Sequence, residues 1–113
     1  MENCLFCRII TGDIPSAKVY EDDFVYAFRD INPQAPVHVL VVPKEHLSSL
    51  SDTEKSSDAL LAGCLRAIRV IAANEGLENG YRVVSNCGPD ACQSVQHLHF
   101  HILGGRKMGE QMA

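Results

Sequence analysis

The chain has 113 residues and a formal net charge of −4 at pH 7, with 46% hydrophobic and 21% charged residues. This balance fits one globular domain over residues 1–113 and excludes a disordered chain, because it provides enough apolar side chain to build a core. The negative charge provides no diffuse basic field, so we expect no nucleic-acid partner.

The absence of targeting and membrane signals indicates a cytoplasmic protein. Residues 1–7 show no basic segment followed by a long apolar stretch. No apolar run reaches the roughly 20 residues that span a bilayer, so we expect no membrane partner. Five cysteines in such a chain argue against a disulfide scaffold and favour metal binding or burial.

The first predicted elements are strands. Residues 17–20 and 24–29 are β-prone runs that flank an acidic turn, which is typical of a hairpin. Residues 37–42 are apolar except for His38, and they precede a proline, as expected for a buried central strand. Because side chains alternate along a strand, His38 is predicted to share a face with Leu40 and Val42.

A long amphipathic helix is predicted next. Ser51 and Glu54 match a capping box, and Gly76 is a typical residue after a helix end. The apolar residues that recur between them at helical spacing are Leu60, Leu61, Cys64, Leu65, Ile68 and Ile71.

Two further strands are predicted at residues 81–84 and 95–103, joined by a loop that contains Asn86, Gly88, Pro89 and Asp90. A helix between sheet segments predicts an α+β domain. We expect an antiparallel sheet of about five strands with one long helix packed on it.

The five histidines fall in two short stretches, His38 with His46 and the alternating series His97, His99 and His101. Residues two apart on a strand point to one face, about 6.6 Å per step, so this series forms a row of imidazoles. Leu98 and its alternate neighbours then face the helix. A histidine-rich surface strand without chemistry is the plain alternative, but an apolar strand with a row of titratable rings favours acid-base, nucleophilic or metal-binding roles.

The segment His97-Leu98-His99-Phe100-His101-Ile102-Leu103 resembles the signature of the histidine triad family. Further matching segments occur in family order: Cys4-Leu5-Phe6-Cys7, Ile14-Pro15, Phe28-Arg29-Asp30-Ile31, Gln34 to His38, Pro43 to His46, and Gln93-Ser94-Val95. The ending Gly104-Gly105-Arg106 resembles the Hint-like branch. The resemblance implies the histidine-triad fold, with a short N-terminal helix besides the long one, and a homodimer paired through helix and strand.

The resemblance also implies a reaction. The middle histidine, His99, attacks the α-phosphorus of a nucleotide, expels the leaving group and forms a nucleotidyl-histidine that water hydrolyses. His101 lies against the phosphate, Ser94 near the leaving group, and the backbone of residues 92–94 along the phosphate path, with Gln93 as a further donor. His38 is expected to orient the His99 ring, or else to be an ordinary core histidine.

For the nucleoside, the resemblance implies an apolar wall and a ribose acceptor. The wall is expected from Phe6, Ile9, Phe28 and Ile31. Asp30 is expected to bind the ribose hydroxyls, and Asn86 and Cys92 to contact the nucleotide. Core packing is the alternative for the apolar residues, and a turn or loop role for Asp30 and Asn86.

Cys4 and Cys7 have the spacing of zinc ligands, and zinc commonly takes two thiolates and two imidazoles. The resemblance implies His46 and His97 as the other two ligands. Four protein ligands leave no position for a water, so the zinc is expected to be structural. Buried reduced cysteines and a zinc-activated hydrolysis are the alternatives.

The leading expectation is hydrolysis of a purine nucleoside phosphoramidate. Dinucleoside polyphosphate cleavage or nucleotidyl transfer, and a nucleotide-binding scaffold with little turnover, are the alternatives. Three features depart from the family pattern. Cys92 replaces a frequent glycine, Gln96 replaces a frequent aromatic at a dimer contact or pocket edge, and residues 107–113 lack the Trp-Pro-Pro ending that shapes leaving-group preference in the animal proteins.

Overall fold

The computed structural model describes residues 3–112. They form an antiparallel five-stranded sheet with the strand order β1-β2-β3-β5-β4. The strands are β1 (Lys18–Glu21), β2 (Val25–Arg29), β3 (Val37–Pro43), β4 (Tyr81–Val84) and β5 (Phe100–Gly104). The helices are α1 (Leu5–Ile10) and α2 (Asp58–Asn74), with two 3-10 turns at Leu50–Lys55 and Pro89–Ala91. The predicted α+β class and both expected helices are confirmed.

The hairpin of β1 and β2 is closed by a side-chain cap. Asp22 Oδ1 accepts hydrogen bonds from the backbone N–H groups of Phe24 and Val25 at 2.8 and 2.9 Å. This local bonding is why the acidic segment forms a turn instead of extending the strand.

The central strand β3 separates two apolar layers. Val39 and Val41 pack with α2 on one face, whereas Leu40 and Val42 pack on the other face with α1. The predicted central strand is confirmed, and His38 shares the face of Leu40 and Val42 as expected. The histidine face of the sheet therefore lies opposite the long helix.

The long helix begins later than the sequence suggested. The Oγ of Ser57 accepts from the backbone N–H of Leu60 at 3.1 Å and caps α2. Ser51 instead lies in the first 3-10 turn, which Ser49 caps. The predicted start at Ser51 was therefore wrong, and the helix ends as expected before Gly76, which has a φ of 73°.

The last strand is also shorter than predicted, because residues 95–99 lie outside the sheet. The backbone N–H of Leu98 donates to the carbonyl of Leu47 at 2.6 Å, and regular pairing with β3 and β4 begins only around Phe100. Leu98 still packs beneath α2 with Leu47 and Leu60. Among residues 3–112, no helix combines the length and apolarity that crossing a bilayer requires.

Candidate active site

The ring of His99 is held by the backbone immediately before it. Its Nδ1 lies 2.7 Å from the carbonyl oxygen of His97, and the side chain is buried. A carbonyl only accepts hydrogen bonds, so a neutral His99 ring carries its proton on Nδ1. Its Nε2 is left with a free lone pair, the state that a nucleophile or general base requires.

The ring of His38 contacts His101 instead of His99, which corrects the expectation that it orients the middle histidine. His38 Nε2 lies 2.9 Å from His101 Nδ1. The backbone N–H of Gln34 donates to His38 Nδ1 at 3.0 Å, so the remaining proton of neutral His38 is on Nε2 and points at His101. His101 consequently carries its own proton on Nε2.

Burial favours the neutral form of both His38 and His101. It lowers the pKa of His101 to about 4, with the neighbouring His99 and His38 adding to the effect. Burial also lowers the pKa of His38, although the carboxylate of Asp30 opposes this shift. At neutral pH the pair therefore presents an N–H donor at His101 Nε2 without a full positive charge.

Three of the four predicted wall residues share one cluster beside His99. Phe6, Ile9 and Phe28 are buried together on the histidine face of the sheet. The ring centroid of Phe6 lies 5.1 Å from that of His99 in an edge-on arrangement. Ile31 does not join them, since its side chain is fully exposed.

The two polar residues expected at the nucleoside lie in loops, Asp30 after β2 and Asn86 after β4. Asp30 Oδ1 accepts a hydrogen bond from the backbone N–H of Asn32 at 2.8 Å. Asp30 therefore stabilises the turn, as the alternative expectation for this residue had it. Its Oδ2 lies 3.5 Å from His38 Nε2, so the same carboxylate also faces the histidines. Asn86 is half-buried in the loop after β4.

The loop of residues 88–94 is tied down by Gln93. The Oε1 of Gln93 accepts from the backbone N–H of Gly88, and its Nε2 donates to the carbonyls of Ser48 and Val95. Its backbone N–H donates to the carbonyl of Gly88. All N–H groups of Gln93 are thus engaged within the protein, and direct donation to a ligand would break one of these bonds.

Ser94 and Cys92 differ from Gln93 in having exposed side chains. Within residues 3–112, neither the hydroxyl nor the backbone N–H of Ser94 has a hydrogen-bond acceptor. Cys92 adopts a left-handed backbone with a φ of 57°, a conformation that favours the glycine frequent at this place in the family.

The four predicted zinc ligands converge beside the C-terminal end of β3. Their ligand atoms all lie within 4.8 Å of one another. Nδ1 of His97 lies 3.2 Å from Cys4 Sγ, 3.5 Å from Cys7 Sγ and 3.2 Å from His46 Nδ1. A tetrahedral zinc with bonds of about 2.0–2.3 Å separates its ligands by about 3.3–3.8 Å, so the cluster matches the size of that site.

The protonation states of the cluster fit a cation as well. His97 Nε2 donates to the carbonyl of Pro43 at 2.8 Å, which leaves its Nδ1 lone pair facing the cluster. Burial lowers the pKa of His97 to about 4, so the ring is neutral. Burial and the adjacent Cys4 thiol raise the pKa of Cys7 to about 11, and a cation among these atoms would reverse that shift.

A cavity of about 730 Å³ opens beside this cluster. It is lined by Asn3, Cys4, Leu5, His46, Ser94, Val95 and Gln96. Gln96 lies at the edge of this cavity, which is one of the two positions expected for it.

The backbone acceptors at Pro43 and His97, and the donor at Gln34, could not be found from the sequence. Every residue type offers the same peptide group, so only the fold identifies which peptide group lies beside a given ring.

Comparisons with known proteins identify the family of this chain. The HIT domain profile matches residues 11–108. The chain is 53% identical over 106 residues to a 14 kDa zinc-binding protein of Zea mays, covering 92% of this chain and 83% of the relative. It is 48% identical over 106 residues to adenylylsulfatase HINT1 of Arabidopsis thaliana, covering 92% and 72%.

A solved structure is similar over almost the whole chain. The HIT family hydrolase from Clostridium thermocellum superimposes with a TM-score of 0.96 at 46% identity, covering 100% of this chain and 99% of that one. Its fold, together with the HIT domain match and the HINT1 relative, confirms the resemblance seen in the histidine series. The chain therefore belongs to the HIT domain family, in its Hint-like branch, and is a hydrolase of that family.

Proposed function

We propose that this protein hydrolyses adenylyl compounds, foremost nucleoside phosphoramidates of the AMP-amine type, through a nucleotidyl intermediate on His99. The observation that carries the proposal is the 2.7 Å contact of His99 Nδ1 with the His97 carbonyl. It directs the Nε2 lone pair away from the backbone, where a phosphorus atom can meet it. The name of the Arabidopsis relative denotes cleavage at an adenylyl group, which supports the substrate class.

The reaction divides into two displacements. His99 Nε2 forms a bond to the α-phosphorus while the bond from phosphorus to the leaving nitrogen breaks, and the departing amine takes a proton. Water then attacks the same phosphorus, AMP is released and the His99 ring regains its lone pair. Splitting the reaction in this way replaces one difficult step by two easier ones.

Two residues offer donors for the developing charge. Phosphoryl transfer is accelerated mainly by positioning and by electrostatic stabilisation of the phosphoryl oxygens. The Nε2–H of His101 and the open hydroxyl and backbone N–H of Ser94 would serve as these donors. Gln93 would act by holding the loop that carries Ser94.

The nucleoside would lie over the cluster of Phe6, Ile9 and Phe28 with its ribose at Asp30. The apolar side chains offer an edge for a purine, and Ile31, exposed without a ligand, would cover it from the other side. Asn86 and Cys92 border the same loop and would contact the ribose or the phosphate.

The leaving group distinguishes two candidate activities. The Hint-like pattern favours an amine as the leaving group, whereas the name of the Arabidopsis relative, an adenylylsulfatase, favours sulfate as the leaving group. Both leave from the same phosphorus and use the same His99. A dinucleoside polyphosphatase or nucleotidyl transferase would use this arrangement as well, with a nucleotide as the leaving group or acceptor.

We further propose that Cys4, Cys7, His46 and His97 hold a structural zinc ion. The maize relative is named a zinc-binding protein, and the donor set has the size and tautomer that zinc requires. When bound, zinc would cross-link the N-terminal helix to the sheet. Because all four positions are taken by protein, the residues at His99 perform the chemistry.

A cytoplasmic homodimer completes the proposal. Strand β4 lies at the edge of the sheet with Tyr81 and Val83 exposed, and Leu65 is exposed on α2. Such an edge is a site where a second copy pairs. Light scattering coupled to size exclusion tests the dimer directly.

The test of the activity is turnover of a fluorogenic adenosine phosphoramidate by wild-type protein and the His99→Ala variant. Circular dichroism and zinc content show whether the variant is folded, and the exposed variant Lys107→Ala is the matched control. We expect the His99 variant to lose about a thousandfold or more in kcat. Retained turnover in this variant would overturn the covalent route. AMP binding without any turnover by the wild type would establish a binding protein instead.

A further inference from the structure

We propose that Asp30 is a positioning residue for His101, acting through His38, in addition to any contact with ribose. The inference rests on the proposed function, since it assigns a second task to a residue of the same site. It is carried by the geometry of three side chains: His38 on β3, His101 on the neighbouring strand β5, and Asp30 in the loop between β2 and β3.

The contacts around His38 fix the position of its ring proton. The Gln34 N–H occupies Nδ1 of His38, so the single ring proton is on Nε2. That proton faces His101 Nδ1 at 2.9 Å, and the Asp30 Oδ2 lies 3.5 Å from the same Nε2. Asp30 Oδ2 and His101 Nδ1 therefore meet the same His38 N–H, which His101 accepts, and the proton of His101 itself is on its Nε2.

Asp30 is fixed well enough to act at this distance. Its Oδ1 is held by the Asn32 N–H, and its side chain is 19% exposed, against 4% for His38. A charge that is partly shielded from water and 3.5 Å from its partner interacts more strongly than an exposed pair.

These three residues also have the composition of a metal site, and their ligand atoms lie within 4.8 Å of one another. The hydrogen bonds argue against this use. A metal on His38 Nε2 would move the ring proton to Nδ1, where it would face the Gln34 N–H. The cluster is therefore better suited to hold a proton than a cation.

The arrangement has a direct consequence for the reaction. The carboxylate beside His38 Nε2 stabilises the ring proton there, so His101 Nδ1 stays an acceptor and His101 Nε2–H stays the donor for the phosphoryl oxygens. The charged or titratable groups that face this pair are His99 and Asp30, and only Asp30 is negative. It acts on the proton that His38 and His101 share, without touching the phosphate.

The test separates this task from ribose binding by removing the hydroxyl groups from the substrate. The kcat and KM of wild type and the Asp30→Asn variant are measured with an adenosine phosphoramidate and with its 2′,3′-dideoxy analogue. Asparagine retains the oxygen that accepts from Asn32, so the turn is preserved. The exposed Asp13→Asn variant is the matched control.

A positioning role predicts that Asp30→Asn lowers kcat on the dideoxy analogue by about tenfold. A charge partner of this kind shifts the proton equilibrium of the His38 ring by about one pKa unit, which is a factor of about ten. Equal kcat of the variant and the wild type on that analogue would overturn the proposal and leave Asp30 with ribose alone.

A second readout does not depend on turnover. The pKa of His38 is followed by nitrogen-detected NMR in both proteins, and we expect it to fall by about one unit in Asp30→Asn, because the carboxylate favours the charged ring. If the wild type cleaves neither substrate, the proposed function fails and this shift alone decides the coupling. An unchanged pKa would then overturn it.

Discussion

The Nδ1 of His99 lies 2.7 Å from the carbonyl oxygen of His97, and this contact joins the candidate nucleophile to the candidate zinc site. The peptide group that sets the tautomer of His99 belongs to a residue whose own ring is held by Pro43 and faces Cys4. A zinc ion that fixes His97 would thereby also fix the acceptor beside His99. The metal can support catalysis in this way without taking part in it.

Zinc removal is expected to affect stability before chemistry. The Cys7→Ser variant should bind less than one zinc per chain and melt at least about 10 °C lower, because metal binding energy is also folding energy. Elemental analysis and calorimetry measure both quantities, with exposed Cys92→Ser as the control that keeps its zinc. Should chelation abolish turnover while the melting temperature stays unchanged, a catalytic metal would replace the structural one.

Acid is expected to destabilise the folded chain through His101. In the unfolded chain this imidazole titrates near 6.5, whereas in the folded chain burial holds its pKa at about 4. Between these values the unfolded chain binds the extra proton, so the free energy of unfolding falls as the pH drops below about 6.5 and has no such penalty above it.

The measurement is urea unfolding at pH 7.5 and pH 5 of wild type and His101→Gln. Acid release of zinc affects both proteins alike, so the difference between them isolates His101. We expect the wild type to lose about 1–2 kcal/mol more than the variant over this range. Equal losses would show that His101 is not held neutral by burial.

The backbone at Cys92 provides a test of the loop. A non-glycine residue at a φ of 57° is strained by roughly 1 kcal/mol, and glycine removes that strain at a smaller entropic cost. We expect Cys92→Gly to raise the free energy of unfolding by about 0.5 kcal/mol, whereas Cys92→Ala, which keeps the strain, leaves it unchanged. A loss of stability in the glycine variant would contradict this view of the loop.

Elements of the fold could be predicted where a local sequence pattern determines them, and could not where tertiary contacts do. Strand β3 was predictable because an apolar run with one histidine ends at a proline. The start of α2 was not, because Ser51 and Ser57 both carry capping signals and only tertiary packing selects Ser57. Likewise, the alternation of residues 95–99 suggests a strand, yet Leu98 bonds to Leu47 outside the sheet.

The candidate site shows the same division. The four candidate zinc ligands, Cys4 and its three partners, were expected from the family resemblance, because that resemblance depends on which side chains occur at these positions. The partner of His38 was not, because pairing of β3 with β5 places Leu40 opposite His101 and brings the rings of His38 and His101 together. Ile31 was expected in the base wall, but its position in an exposed turn is set by the loop after β2.

The most direct test of the central claim is to trap the intermediate. Wild-type protein is mixed with an adenosine phosphoramidate, quenched within milliseconds and analysed by intact mass and peptide sequencing, with His99→Ala in parallel. We expect an adduct of one AMP residue on the peptide that carries His99, absent from the variant. Turnover without any adduct, or an adduct on another residue, would contradict nucleophilic catalysis by His99.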